Sequence, residues 1–436
     1  LFAADKKDMK TVKIMQKTIV SVLLLLGFAL VTSAQVTALR AGRVVDPETG
    51  TISSSQIILI EGQNIKAIGA NVQIPAGATV IDLSGQVVLP GLFDAHTHLC
   101  MNMRHDRDAR SYYITTLLDS NGTRAIQGVA NARSMLEYGF TTVRDVGNSG
   151  NYADTDLRRA IDQELVPGPT VLNAGRIIAP YGGQFQMQPD KPNLGNPEYF
   201  YADTRDEIKK AVRENIHYGA RLIKIVVDDQ RYIYSVDDIK AVIEEAHAVG
   251  FKVAAHCWTQ KGARNAAEAG VDSIEHGVAI DDETLDIVKA KNIALVPTPF
   301  TEIDARLGGD PNGNRETDRK LFADPVKRAY QKGVTLVFGP DVIFSTKEYP
   351  RGRLSIETID NWVAAGIPPR TILQALTVNA AKLLGVEKAR GYLKAGMRAD
   401  IIAVNDNPLE KIATLKTVVF VMKNGKVFKQ NAAVKN

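Results

Sequence analysis

Four of the seven histidines in this 436-residue chain, with one lysine and one aspartate, fall where apolar, strand-like runs end. His96 and His98 follow Leu89-Pro90-Gly91-Leu92-Phe93-Asp94-Ala95. Lys224 lies inside Leu222 to Val227, and His256 closes the run from Lys252 to Ala255. His276 follows Ser273-Ile274-Glu275, and Asp341 follows Thr335 to Pro340. Alternate residues of a strand point the same way, so His96-Thr97-His98 sends both imidazoles to one side. Imidazole nitrogens and a carboxylate together suit a divalent cation. Any one of these histidines, taken alone, reads better as a hydrogen-bonded core residue. Their shared position at strand ends favours ligation. An acid closing an apolar run is costly to bury unless a cation stands beside it. Lys224 is equally expensive as a buried cation. Two resolutions stay open on the residues alone: a salt-bridged structural lysine, or an amine that has taken up carbon dioxide as a carbamate. The carbamate is an anion with two oxygens, able to bridge two cations.

Such residues need a scaffold that brings distant strand ends together. Between Leu89 and Gly385, strand-like and helical stretches alternate. The strand-like runs end near His98, Val146, Ile177, Val226, His256, His276, Thr298 and Asp341. From Asp237 to Val249 the apolar residues recur at helical spacing, with Ser235 as N-cap and Gly250 as the stop. Asp203 to His217 and Glu283 to Ala290 read the same way. Eight such units predict an α/β fold, a (β/α)8 barrel over 89–385, whose active site lies at the C-terminal ends of the strands. An open doubly wound sheet would carry a Gly-rich phosphate loop after its first strand, and none is found. Residues 35–88 and 386–436 are β-rich and turn-rich, and Asn424-Gly425 marks a hairpin. The two ends are expected to meet as one small β-sandwich domain.

Composition narrows the class. With 45% hydrophobic and 23% charged residues, the chain is ordinary globular protein. A net charge of +4 without a long basic run gives no case for nucleic acid. Two cysteines, Cys100 and Cys257, build no disulfide framework and are expected as buried thiols. Residues 1–34 read as a signal peptide with upstream residues. Lysines precede the apolar run from Thr18 to Val31, and Thr32-Ser33-Ala34 offers a cleavage site. That run falls short of the ~20 residues needed to span a bilayer. The expectation is an exported, periplasmic or secreted protein with no membrane attachment after leader removal.

The stretches VVLPGLFDAHTHL, YGFTTVRDVGN, GARLIKIVVDD, EEAHAVGFKVAAHCW, AAEAGVDSIEHGVAIDDETL, ALVPTP, TVNAAKLLG and GYLKAGMRADIIAVNDNPLEKI are spread in order over residues 87–412. Together they resemble the amidohydrolase superfamily, in its imidazolonepropionase-like and Xaa-Pro dipeptidase (prolidase-like) subgroup. The resemblance implies two divalent ions, usually zinc. His96, His98 and Asp341 would hold one, His256 and His276 the other, and N6-carboxylysine at Lys224 would bridge them. It further implies amide hydrolysis by an activated water, with Asp341 as ligand and acid–base in one. Relatives often assemble, which leaves a homo-oligomer open.

Four further residues are candidate substrate contacts. Arg144 reads as binding a substrate carboxylate or as pairing with Asp145 or another barrel acid. Many relatives carry a histidine where this chain has Gln184. Tyr232 and Tyr234 lie in the loop after Lys224 and are candidates to donate to a developing oxyanion. Gly308 to Arg315 is a candidate rim or lid. The expected substrate is a small molecule of dipeptide type, cut as a dipeptide or an N-acylated amino acid. The rivals are a cyclic amide or lactone hydrolase with the same metals, and a non-catalytic exported binding protein on the same fold.

Overall fold

The computed structural model describes residues 36–108, 113–185, 187–299 and 316–431. The leader expected over 1–34 and the rim loop expected at 308–315 lie outside them. Four strands open the chain: β1 (Val36–Val45), β2 (Ile52–Glu61), β3 (Asn64–Gly69) and β4 (Thr79–Pro90). Alternation along β1 and β4 puts Leu39, Ala41, Ile81 and Leu83 on one buried face. A one-residue break at Gly91 separates β4 from the second region. A side chain at Gly91 would stand 2.1 Å from the Thr141 hydroxyl, so the backbone itself packs there.

Nine strands follow: β5 (Leu92–Thr97), β6 (Phe140–Asp145), β7 (Thr170–Asn173), β8 (Ile177–Ala179), β9 (Tyr199–Tyr201), β10 (Ile223–Val226), β11 (Val253–Cys257), β12 (Ser273–His276) and β13 (Ala294–Val296). They form parallel sheets in the orders β5-β6-β7 and β13-β12-β11-β10-β8-β9. The third unit is therefore split between β7 and β8. The run expected to end at Asp341 is irregular. It makes one bridge, Leu295 to Leu336, and no regular strand, because Pro340 lacks an N–H to continue a ladder. It still fills the gap between two strands: Val337 N–H donates to Leu295 O (3.0 Å), and Ala95 N–H donates to Phe338 O (2.8 Å).

The helices form where their caps place them. Thr204 and Glu207 make a reciprocal capping box for Arg205–Tyr218, and Ser235 and Asp238 do so for Val236–His247. Each such cap contributes about 1 kcal/mol. Between helices and strands lies one continuous apolar layer that includes Val212, Ile223, Ile239, Val242, Val253, Ile274 and Leu285, all buried. Burying each of these Val, Leu or Ile side chains contributes about 1.5–3 kcal/mol. Among the described residues no helix is long and apolar enough to cross a membrane.

The chain ends in β14 (Ile401–Val404), β15 (Phe420–Lys423) and β16 (Lys426–Gln430). Asn424 (φ 48°) and Gly425 (φ 77°) make the hairpin turn. These strands join β1 to β4 in one seven-stranded sheet of order β16-β15-β14-β4-β1-β2-β3. The two chain ends meet in this one continuous sheet. It curls around its own core of Leu39, Ile58, Leu83, Ile401, Phe420 and Met422. Ile65 N–H donates to Met397 O and Ala399 N–H to Gln63 O, so the β2–β3 edge reaches the segment entering β14.

Candidate metal centre

All six residues picked from strand ends line one cavity of about 160 Å³. His96, His98, Lys224, His256 and His276 are almost wholly buried, and the Asp341 side chain is 16% exposed at the mouth. Asp341 Oδ1 stands 3.1 Å from His98 Nε2 and 3.7 Å from His96 Nε2, and its Oδ2 stands 3.9 Å from His276 Nδ1. The imidazole centroids of His256 and His276 are 4.5 Å apart, and those of His96 and His276 are 5.0 Å apart. Ligand-type atoms of His96, His276 and Asp341 all lie within 4.8 Å of one another.

Strand geometry delivers some of these groups and backbone turns deliver the rest. His96 and Lys224 sit inside β5 and β10, and His256 inside β11. His276 (φ 66°) and Asp341 (φ 57°) hold left-handed backbone, which costs a non-glycine residue roughly 1–2 kcal/mol. Gly339 lets the Asp341 segment approach: a side chain there would meet the His96 backbone nitrogen at 2.8 Å. Arg351 holds the same two segments together. Its buried guanidinium donates to the carbonyls of His98 (3.0 Å), Met101 (2.6 Å), Val342 (2.6 Å) and Phe344 (2.9 Å).

The ring nitrogens are oriented for ligation. His96 Nδ1 bonds the Glu275 carboxylate at 2.7 Å, and His98 Nδ1 bonds the Gly147 carbonyl at 2.7 Å. Both partners only accept, so each Nδ1 carries the proton and each Nε2 lone pair faces the cavity. His276 Nδ1 meets the Thr298 hydroxyl at 2.7 Å. Burial, aided by Lys224, pushes His96 down to about 4, and burial among the other imidazoles pushes His276 well below the ordinary range. Both are thus neutral near pH 7, the form that binds a metal. Burial also pushes the Lys224 amine down to about 8.

His96 Nε2, His256 Nε2, Lys224 Nζ and Asp341 Oδ1 are buried without a hydrogen-bond partner. Natively folded proteins rarely leave such atoms unpaired. Four such atoms line one small cavity, and the donor set of imidazoles and a carboxylate suits a divalent metal.

The remaining candidates fare differently. Arg144 lies beneath the cavity and pairs with both oxygens of Glu275 (2.7 and 2.8 Å), with Ser273 Oγ (2.9 Å) and with the Ala95 carbonyl. It serves a barrel acid and is not positioned for a substrate carboxylate. Tyr234 is fully buried with its hydroxyl donating to Ala202 O at 2.6 Å, and Tyr232 is half-exposed with its hydroxyl donating to Asp238 at 3.0 Å. Neither lines the cavity: Asp238, in the first turn of the helix from Val236, takes one hydroxyl, and the Ala202 carbonyl after β9 takes the other. Gln184 does line the cavity, with Asn148 and the apolar walls Met101, Ile177, Trp258 and Ile343. Cys100 and Cys257 are buried and unbridged.

Glu275 was not among the residues singled out from the sequence. Burial alone would raise its pKa, yet Arg144 and His96 hold it well below the ordinary carboxylate range. Glu275→Leu leaves Arg144 buried without a counter-charge, and we expect a loss of about 3–5 kcal/mol. A lowered urea midpoint would show it. Joint replacement with Arg144→Met should recover most of the loss, and an unchanged midpoint in the single variant would rule out the role.

Comparison with known proteins accords with this geometry. Ochratoxinase from Aspergillus niger is 29% identical over 91% of this chain and 87% of its own length. A crystal structure of a Xaa-Pro dipeptidase with methionine in its active site superposes with a TM-score of 0.80 at 30% identity, covering 91% of this chain and all of that one. A prolidase complexed with N-methylphosphonate-L-proline gives a TM-score of 0.78 at 25% identity, over 91% of this chain and all of that one. Residues 87–428 match the amidohydrolase family model, so the chain belongs to that family and is a hydrolase of carbon–nitrogen bonds.

Proposed function

We propose that this protein hydrolyses an amide bond in a small peptide-like substrate, a dipeptide or an N-acylated amino acid, at a two-cation centre in a closed (β/α)8 barrel. The observation that carries the reading is the convergence of unpartnered His96 Nε2, His256 Nε2, Lys224 Nζ and Asp341 Oδ1 on one cavity. His96, His98 and Asp341 would hold one ion, His256 and His276 the other, with Lys224 as N6-carboxylysine between them. Bound there, two divalent ions, with zinc our proposed pair, would make a water nucleophilic near neutral pH and polarise the amide carbonyl.

The chain's own groups do the rest. Asp341, at the mouth, accepts the proton of the attacking water and carries it to the leaving nitrogen, which is a poor leaving group unprotonated. Glu275 and Gly147 O fix the tautomers of His96 and His98. Trp258, Ile343, Met101 and Ile177 exclude bulk water from the reacting bond. The cavity admits the scissile group and little more, which favours small substrates. Names of the relatives support the class: a Xaa-Pro dipeptidase, a prolidase and an ochratoxinase. From the leader pattern of residues 9–34 we also propose export to the periplasm or beyond.

One observation favours a second reading. Among the described lining residues no arginine, and no lysine besides Lys224, is available for a substrate carboxylate, and four walls are apolar. An uncharged cyclic amide or a lactone would suit such walls. Metal analysis with a substrate panel decides. We expect two divalent ions per chain, activity lost to a chelator and restored by zinc, and turnover of Xaa-Pro, Xaa-Arg or N-acyl amino acids. Turnover confined to lactams or lactones would move the assignment to the second reading. Fewer than one ion per chain would leave a binding protein on a catalytic fold.

A further inference from the structure

We propose that Asp229 is an additional protein ligand of the cation held by His256 and His276, oriented for it by Gln184 and Tyr199. The inference rests on the two-cation reading above. Asp229 follows β10, and its Oδ2 stands 3.0 Å from His256 Nε2, a buried nitrogen that makes no hydrogen bond. Two donors each about 2.0–2.2 Å from one cation, at a right to tetrahedral angle, stand about 2.8–3.6 Å apart. The pair Asp341 Oδ1 and His98 Nε2 shows the same spacing at 3.1 Å. His256 and Asp229 are thus set as two donors to one ion.

The oxygen that faces His256 is itself hydrogen-bonded, as those of ligating carboxylates are. Gln184 Nε2 donates to Asp229 Oδ2 at 2.7 Å. Gln184 Oε1 accepts from the Tyr199 hydroxyl at 2.7 Å, and that hydroxyl accepts from Asn148 Nδ2 at 3.1 Å. The neighbouring acid, Asp228, is unsuitable. Its oxygens accept from Trp258 N–H (2.9 Å), Thr259 N–H (2.7 Å) and the Thr259 hydroxyl (2.6 Å). Asp229 is a quarter exposed at the rim, so its charge reaches the ion without a full desolvation cost. A carboxylate here adds a negative donor to a site otherwise built from two neutral imidazoles and the Lys224 bridge.

The test is metal retention by the full chain. Zinc-loaded protein is equilibrated with a competing chelator of known affinity, and bound zinc is counted. Wild type should hold two ions. Asp229→Asn should bind the second ion about 10–100-fold more weakly, and Gln184→Leu should show a smaller drop in the same direction. In the cobalt(II)-loaded protein, Asp229→Asn should alter the visible absorption and Asp229→Glu should bring part of it back. Should Asp229→Asn fail to fold, Gln184→Leu and Asp229→Glu carry the test. Two ions held with wild-type affinity and an unaltered cobalt spectrum in every variant would overturn the role of Asp229 alone. Wild type that binds no second ion would overturn the parent reading, and this inference with it.

Discussion

Lys224→Ala is expected to lower kcat by about 10³-fold or more, since the proposed metal centre it would dismantle would supply several kcal/mol of transition-state stabilisation. The variant should also retain fewer than two ions. Lys224 is 2% exposed, and its Nζ has no hydrogen-bond partner. A buried ammonium in that position costs several kcal/mol, and neighbouring cations would add repulsion. Burial moves the amine down to about 8, so about a tenth of it is neutral near pH 7. That neutral amine can attack carbon dioxide. A C–N bond forms, one N–H proton leaves to solvent, and the side chain becomes an anion with two oxygens. Trimming to alanine removes those oxygens and leaves room for a free short carboxylate. Propionate added to Lys224→Ala should therefore restore part of the rate and part of the second ion. Lys224→Arg keeps a positive charge but cannot form a carbamate, so it should be as inactive as alanine. Wild-type rate in the arginine variant would make Lys224 a plain structural cation.

Much of this site is readable from residue order, for a definite reason. Strand alternation fixes which side chains share a face, and the strand ends of this fold converge. His96, Lys224 and His256 follow from those two rules, as do the capped starts of Arg205–Tyr218 and Val236–His247. The rest depends on backbone turns and distant partners. Alternation sends neighbours such as Glu275 and His276 to opposite sides. The left-handed φ of 66° at His276 returns its ring to the cavity, while Glu275 stays inside the strand layer against Arg144. No local pattern announces that turn. Residue order alone does not choose between a substrate carboxylate and a barrel acid for Arg144, because its partner lies 131 positions away.

The tyrosines show the opposite failure. Tyr232 and Tyr234 stand at the right distance along the chain from Lys224, but sequence proximity to a ligand says nothing of where a hydroxyl is satisfied. Ala202 O and Asp238 capture them. Asp229, two residues after Val227, reads in sequence as one of two loop acids. What separates it from Asp228 is that the backbone at Trp258 and Thr259 saturates one and not the other. In the small domain, β-rich ends are evident from turn residues. Whether they make one curled sheet or two layers depends on long-range pairing of β4 with β1 and β14, which composition cannot encode.

Asp341→Asn is the second large effect expected, a fall in kcat of about 10²–10⁴-fold, the range for a lost general acid–base. The substitution keeps size and shape, and it removes the charge and the basic oxygen. Burial opposes ionisation of Asp341, but His96 and His98, with Lys224 as the uncarboxylated ammonium, outweigh it and hold the carboxyl below its ordinary range; with Lys224 as a carbamate, the bound cations would supply that positive charge. In wild type the group is therefore ionised across the neutral range, ready to accept a proton. Activity should be lost only as pH falls through that lowered value. The acidic limb should flatten in Asp341→Asn. Because Asp341 is also a proposed ligand, the two roles must be separated. Measured at saturating zinc, a proton-transfer role lowers kcat and leaves KM nearly unchanged, since the interaction exists only in the transition state. It also makes the loss depend on the leaving group. An alkyl amide needs its nitrogen protonated, whereas the nitrogen of a nitroanilide is a weaker base and a better leaving group, and its cleavage should suffer far less. Equal losses on both substrates, with the acidic limb intact, would assign Asp341 to holding the ion and would require another group to deliver the proton.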